Sequence, residues 1–271
     1  MAITTADGYF GAARQIFDIQ KTASFTTIAA NPFSLWDVAG TPGAGTLTIG
    51  NTTTGLVPDD STLGAPVITN FGSGNTGYLQ QAEFASSVAG RAFLYDRLWH
   101  AGSVSMLALA TTTFASQPAI TQRLPNAGAD WGGLEILLEI NAAVSATATT
   151  VAVTYTNETG VTGRATGASA SLSGFTNRRI VRMPLQAGDK GVRTIDSVIV
   201  GGVVATTGTF NVILARRLAS FNTRITNASD IRGWDLLGGP ILFQDSCLWG
   251  VVQPDSTASG VLDFGLTIIN G

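Results

Sequence analysis

The sequence is poor in the residue types that most enzymes use for catalysis. Its 271 residues include one cysteine, Cys247, and one histidine, His100. A single cysteine excludes an intramolecular disulfide framework and a metal site built from several thiolates. A single histidine leaves one candidate base for a nucleophilic triad, and no G-x-S-x-G elbow accompanies it. We therefore expect Cys247 to be a small buried core residue, and His100 to end a strand without a catalytic role.

Charged side chains are also scarce. They make up 12% of the chain, about half of the roughly 25% usual in globular domains. The net charge is -3, and the basic residues form only short pairs such as Arg178-Arg179 and Arg216-Arg217. Without a cationic stripe, nucleic-acid binding loses its main source of affinity. We expect no direct contact with nucleic acid.

Long apolar runs are missing as well, although the mean hydropathy is +0.27. No run approaches the roughly 20 apolar residues of a membrane-spanning helix, so we expect no membrane partner. The N-terminus lacks the positive start and apolar core of a secretory signal, which predicts synthesis in a cytoplasm. A positive hydropathy without a membrane segment predicts burial against protein partners, and hence a homo-oligomer, for which a trimer is a first guess.

The chain is rich in short alternating segments separated by glycine, asparagine and proline turns. Strands are predicted at residues 46–49, 91–99, 103–109, 135–140, 151–155, 179–185, 194–204, 209–216, 247–253 and 260–269. The turn at residues 157–160 leads back into Val161 and marks the clearest hairpin. Many short strands without long alternating helices predict a mainly β fold, an antiparallel β-sandwich of jelly-roll-like type.

The N-terminal part follows a different pattern. Phe10, Ala13 and Phe17 recur at helical spacing, which predicts one amphipathic helix over residues 7–21. The stretch that follows is rich in threonine, glycine and proline and has few apolar anchors. We therefore divide the chain into an N-terminal helix with an extended anchoring arm, residues 1–75, and a β-sandwich domain, residues 76–271.

Motifs for catalysis or cofactor binding do not emerge. The glycines between Gly40 and Gly50 have neither G-x-G-x-x-G spacing nor a G-K-[ST] ending. Glu135 and Glu139 share one face of a predicted strand, about 13 Å apart. That separation is too large for a glycosidase pair, so a solvated outer face explains them. No catalytic, cofactor-binding or metal-binding residue is predicted, and the five tryptophans are assigned to core or interface packing.

Three stretches resemble a family of structural proteins of tailed bacteriophages and prophages. They are residues 93–100 (FLYDRLWH), residues 150–157 (TVAVTYTN) with Gly160 and Gly163-Arg164, and residues 184–193 (PLQAGDKGVR). The resemblance covers roughly residues 75–220. It implies a virion protein made in the host bacterial cytoplasm, and it carries no catalytic residues.

These observations predict a non-enzymatic structural component of a virion. A capsid cement or decoration protein, in contact with the major capsid protein or other virion proteins, is favoured because low charge and many small residues suit close subunit contacts. Two alternatives stay open. A receptor-binding or glycan-binding tail protein predicts exposed aromatic or carboxylate clusters in loops, and a phage depolymerase predicts a cleft with converging acids.

Overall fold

A computed structural model describes residues 5–72 and 76–271. The chain forms two compact units. Unit 1 comprises Met1–Gly45, Asp59–Asp96 and Leu218–Gly271, and unit 2 comprises Thr46–Pro58 and Arg97–Arg217.

The secondary structure in the described part of the chain is mainly β. The strands are β1 (Ala13–Lys21), β2 (Phe33–Ser34), β3 (Gly40–Thr41), β4 (Gly77–Ser86), β5 (Gly90–Ser105), β6 (Thr111–Thr113), β7 (Leu134–Ala142), β8 (Thr149–Asn157), β9 (Arg164–Ala165), β10 (Ile180–Met183), β11 (Val192–Gly202), β12 (Thr209–Thr223), β13 (Ala228–Arg232), β14 (Ile241–Leu242), β15 (Leu248–Pro254) and β16 (Leu262–Asn270). The helices are short, namely α1 (Ala6–Gly11), α2 (Pro125–Gly128), α3 (Trp234–Leu237) and a 3-10 turn (Thr121–Arg123).

Unit 1 contains two groups of antiparallel strands around an apolar core. One is a sheet with the order β13-β4-β16-β1-β3, in which β14 also pairs with β4. In the other group, β15 pairs with β2 and with residues 90–96 of β5. Phe264 of β16 packs its ring 4.9 Å from that of Phe84 and 5.8 Å from that of Phe221. Each such buried ring contributes about 1.5 to 3 kcal/mol through removal from water.

Unit 2 is also built from two antiparallel groups around its own core. Strand β7 pairs with β10 and with residues 209–216 of β12. The second group is a sheet with the order β6-β11-β8-β9. The core takes the inward residues of both groups, among them Ile136, Leu138, Val153, Val198 and Val212. The predicted mainly β, antiparallel sandwich class is thereby confirmed.

Most predicted strands coincide with observed ones, but the strand predicted at residues 103–109 does not: residues 103–105 belong to β5, and residues 106–109 are not in a strand. In β16, Leu262, Phe264, Leu266 and Ile268 are buried and alternate with more exposed residues. The predicted hairpin is present: the amide of Asn157 donates to the carbonyl of Val161, and Gly160 takes a φ of +86° that favours glycine. The strand predicted at residues 46–49 is wrong, since that segment has no strand.

The N-terminal segment differs from its prediction. The helix expected over residues 7–21 is wrong beyond Gly11, because residues 13–21 form β1, which pairs with β16 along its whole length. In β1, Phe17 and Ile19 alternate with exposed Asp18 and Gln20, so the true period is two.

The segment after β1 is not a stretch with few apolar anchors. Its side chains contribute to the core of unit 1, where Phe33, Leu35, Trp36, Ile68 and Phe71 are buried. These residues contradict the premise of an extended anchoring arm. The division at residue 75 stays a prediction, and neither unit has a boundary there.

Candidate functional site

Unit 2 carries a cationic pocket with a volume of about 470 Å³. Its walls come from the start of β7, the end of β10 with the loop after it, and the last residue of unit 2. Three cationic residues, Arg182, Lys190 and Arg217, line the pocket together with one anionic residue, Glu135. The remaining lining residues are apolar or glycine, namely Gly133, Leu134, Met183, Pro184 and Leu185. The lining therefore has two more positive than negative charges.

The carboxylate of Glu135 lies between the two arginines. Its Oε2 is 2.8 Å from Nε of Arg182, and its Oε1 is 3.4 Å from Nε of Arg217. The Glu135 side chain is only 18% exposed, whereas those of Arg182 and Arg217 are 46% and 42% exposed. The register explains the arrangement, because Ala215 of β12 lies opposite Glu135, and Arg217 follows it on the same strand face.

A polar network fixes the loop that forms one wall of this pocket. Asp189 accepts hydrogen bonds from the hydroxyl of Tyr155 (2.6 Å), from Nδ2 of Asn157 (2.8 Å) and from Nε of Arg164 (2.9 Å). The amide of Gln186 donates to the Tyr155 hydroxyl oxygen at 2.7 Å. All these residues belong to two of the stretches that carry the family resemblance.

The network shifts the pKa values of its two acids in opposite directions. Hydrogen bonds from Arg164, and further ones from Tyr155 and Asn157, hold the pKa of Asp189 well below its usual range. Burial and the hydrogen bond to Asp189 raise the pKa of Tyr155 to about 12. Asp189 is thus an anion and Tyr155 a neutral donor at every physiological pH, which makes the loop a stable support.

Next to the pocket lies a second, smaller hollow of about 130 Å³. Gly132 and Gly191 form a backbone bridge, and the amide of Gly133 donates to the carbonyl of Lys190 at 2.8 Å. The smaller hollow is lined by Trp131 and Arg193, whose guanidinium carbon lies 5.7 Å from the Trp131 ring centroid. The half-buried ring of Trp131 and the guanidinium of Arg193 are thus within two residues of the Gly132–Gly191 bridge, which adjoins the cationic pocket.

A further ionisable cluster of unit 2 is fully buried. Nη2 of Arg97 is 3.4 Å from Oε1 of Glu139, and Nδ2 of Asn211 is 3.2 Å from Oε2 of the same carboxylate. Nη1 of Arg97 lies 2.9 Å from Nδ1 of His100. Burial, and next the charge of Arg97, lower the pKa of His100 well below its usual value. The ring is therefore neutral, and it accepts from Arg97.

Two expectations about this cluster need correction. Glu139 does not lie on a solvated face, because its side chain is 0% exposed and pairs with Arg97. His100 lies inside β5 and does not end it. The error for Glu139 has a clear cause: its partner Arg97 lies on β5, so the pattern of β7 alone does not reveal the pairing.

Other residues considered in the sequence have structural contacts. Cys247 is buried and unbridged, as expected for a core residue. Trp36, Trp99 and Trp249 are buried, while Trp131 and Trp234 are not.

The described ranges contain no group of three or more His, Cys, Asp and Glu side chains arranged to hold a metal ion. Within the same ranges, no helix has the length and apolar character needed to cross a membrane.

Sequence reasoning did not bring together the residues of the cationic pocket. It noted Glu135 as part of a strand face and Arg216-Arg217 as a short basic pair, and it gave Arg182 and Lys190 no role. The signal that was present is the alternation of β7 and β12, which places Glu135 and Arg217 on outward positions. The antiparallel register that joins them is not readable from either strand alone.

No protein-family model and no curated protein matches the chain. Among solved structures, the infectious bursal disease virus VP2 subviral particle is similar to it with 9% sequence identity and a TM-score of 0.20, over 96% of this chain and 80% of that chain. At this TM-score the likeness carries no argument about fold or function.

Proposed function

We propose that this protein is a non-enzymatic structural component of a bacteriophage virion, most specifically a capsid cement or decoration protein. The observation that carries the proposal is the exposure of large apolar side chains on a surface that has few charges. In unit 1, Ile16, Val67 and Ile225 are 76%, 69% and 71% exposed. Interfaces need such residues, whereas a free monomer keeps its apolar patches small.

In unit 2, the exposed apolar residues are concentrated on adjoining loops. Leu107 and Leu109 are 52% and 55% exposed, and Val203 is 55% exposed. The two loops are held together by backbone hydrogen bonds, from Ala205 to the carbonyl of Met106 at 3.1 Å and from Val200 to the carbonyl of Ala110 at 2.9 Å. An apolar tip of this kind supports a role in subunit contact, with another copy or with the major capsid protein.

The way in which ionisable groups are used also supports a non-enzymatic role. Glu139 is paired with Arg97, and Asp189 accepts bonds from three side chains. Each carboxylate is thereby committed to holding strands and loops in place. A catalytic acid or base instead needs access to a substrate proton.

The experiment is a measurement of copy number in purified particles of the phage or prophage that encodes the chain. Quantitative mass spectrometry should find a copy number comparable with that of the major capsid protein. Light scattering of the isolated protein should show a homo-oligomer, for which we propose a trimer. Absence from particles would contradict the virion role, and a monodisperse monomer at micromolar concentration would contradict the oligomer.

The cationic pocket of unit 2 favours a second candidate, a receptor-binding or glycan-binding protein of the tail. A few copies per particle, in place of many, would support this candidate over the cement protein. Copy number therefore separates the two locations directly.

A further inference from the structure

The charge of the pocket in unit 2 is unbalanced, and this indicates what it binds. Arg182, Lys190 and Arg217 contribute three positive charges, and Glu135 contributes one negative charge. Glu135 orients the two arginines, but it neutralises only one charge. The pocket therefore favours an anionic ligand.

The pocket is held in shape before any ligand arrives. The amides of Lys190 and Gly191 donate to Oε2 of Glu158 at 3.0 and 3.1 Å. The same loop is fixed through Asp189, which accepts from Tyr155 and Arg164. Ordering such a loop on binding would otherwise cost conformational entropy, so a prearranged wall favours affinity.

The rest of the lining indicates the body of the ligand. Leu134 and Met183 are part of the buried core of unit 2, and Leu185 packs against that core. Leu134 and Met183 are only 1% and 2% exposed, so the apolar lining that a ligand can reach is Pro184, which is exposed, and Leu185, which is half-buried. A volume of about 470 Å³ is within the usual range for small-molecule sites, about 300 to 1,000 Å³. A bare inorganic anion would leave Pro184 and Leu185 uncovered.

The neighbouring hollow favours a saccharide over other carboxylates. Gly132 and Gly133 are exposed and present no side chain beside the pocket. Trp131 directly precedes these two glycines in the chain and lines the smaller hollow, with Arg193 near its ring. A sugar ring has an apolar face that packs on aliphatic or aromatic surface, and an arginine pair recognises a carboxylate with bidentate geometry.

We propose that this pocket of unit 2 binds the carboxylate of an acidic saccharide of the uronic acid type, with the sugar ring packed on Pro184 and Leu185. The proposal goes beyond the structural role and requires neither a head nor a tail location. Its failure would leave the virion proposal untouched, because copy number in particles does not depend on ligand binding.

The test is isothermal titration calorimetry of the full chain with three probes. A galacturonic acid trimer carries both ring and carboxylate, maltotriose carries rings without a carboxylate, and sodium acetate carries a carboxylate without a ring. We expect the trimer to bind at least about tenfold more tightly than either partial probe, since charge-assisted hydrogen bonds and ring packing both contribute. Equal binding of acetate would mean an anion site only, and equal binding of maltotriose would mean no carboxylate recognition. Either result overturns the proposal, as does no binding of the trimer at millimolar concentration.

Variants locate the binding. Arg217→Gln and Lys190→Gln should each weaken binding of the trimer by about tenfold. The thermal melt should change little, because Arg217 is half-exposed and Lys190 is exposed. Arg91→Gln is the matched control, since Arg91 is an exposed strand arginine of unit 1. If Arg91→Gln weakened binding as much as Arg217→Gln, the attraction would be diffuse and the assignment to the pocket would be wrong.

Discussion

Unit 1 and unit 2 bury charged side chains in different ways. In unit 2, Arg97 and Glu139 are both 0% exposed and neutralise each other. In unit 1, Lys21 is 1% exposed, and its ammonium donates to the carbonyl of Pro42 at 2.7 Å. The two arrangements respond differently when a charge is lost, because Arg97 and Glu139 compensate each other, whereas the Lys21 ammonium donates to an uncharged carbonyl. Replacing one member of the ion pair leaves the other charge buried without compensation, whereas a buried ammonium loses its proton, and with it its charge, at a lower pH than an exposed one.

The largest effect should follow from breaking the ion pair of unit 2. Glu139→Gln keeps the size of the side chain but leaves the Arg97 charge buried without its counter-charge. We expect the free energy of unfolding to fall by about 3 to 5 kcal/mol. Guanidinium denaturation followed by near-ultraviolet circular dichroism measures this loss.

The matched control is Glu135→Gln on the same strand. Glu135 pairs with two half-exposed arginines, so the change should cost no more than about 1 kcal/mol. Similar losses for the two variants would show that the buried pair is no more important than the exposed one.

The next effect concerns Lys21 of unit 1. Burial lowers the pKa of Lys21 to about 8, opposed by the charge of Asp37. Above pH 8 the folded chain has released a proton that the unfolded chain still binds, so stability should rise with pH. We expect a gain of roughly 2 kcal/mol between pH 8 and 9.5, which denaturation at several pH values would detect.

Lys21→Met should remove this rise, and Lys190→Met should keep it, because Lys190 is the only other lysine of the chain and is exposed. The measurement should stay below pH 10, because the pKa of Tyr155 is raised to about 12. Above pH 10 the unfolded chain releases the tyrosine proton first, so stability falls with pH. A rise that survives in Lys21→Met would assign it to another group.

The same comparison shows how far the sequence predicts the fold. Strands such as β16 and β8 were predicted because apolar and polar residues alternate along them, and alternation is a local property. Strand β1 was predicted as part of a helix because Phe10, Ala13 and Phe17 recur at helical spacing, but in the strand the charged residue Lys21 occupies an inward position. Its burial depends on the carbonyl of Pro42, a contact that only the folded chain creates.

The candidate site was less predictable than the fold for a related reason. Glu139 was placed on a solvated face because its partner Arg97 lies 42 residues away. The cationic pocket takes residues from β7, β10, the loop after β10 and β12, and each contributes only one to three side chains. Binding sites of this kind arise from strand register, which a single sequence does not specify.

The smallest effect should come from His100, the titratable group of the buried cluster in unit 2. Because its pKa in the folded chain lies well below the usual value, the unfolded chain binds the proton first as the pH falls from about 6.5. Stability should therefore decrease by up to about 1.4 kcal/mol per pH unit between pH 6.5 and 5.5. Asp189 does not contribute in this range, since its lowered pKa places its titration at a much more acidic pH. His100→Gln should flatten the slope, and an equal slope in both proteins would show that the acid sensitivity arises outside the Arg97–Glu139 cluster.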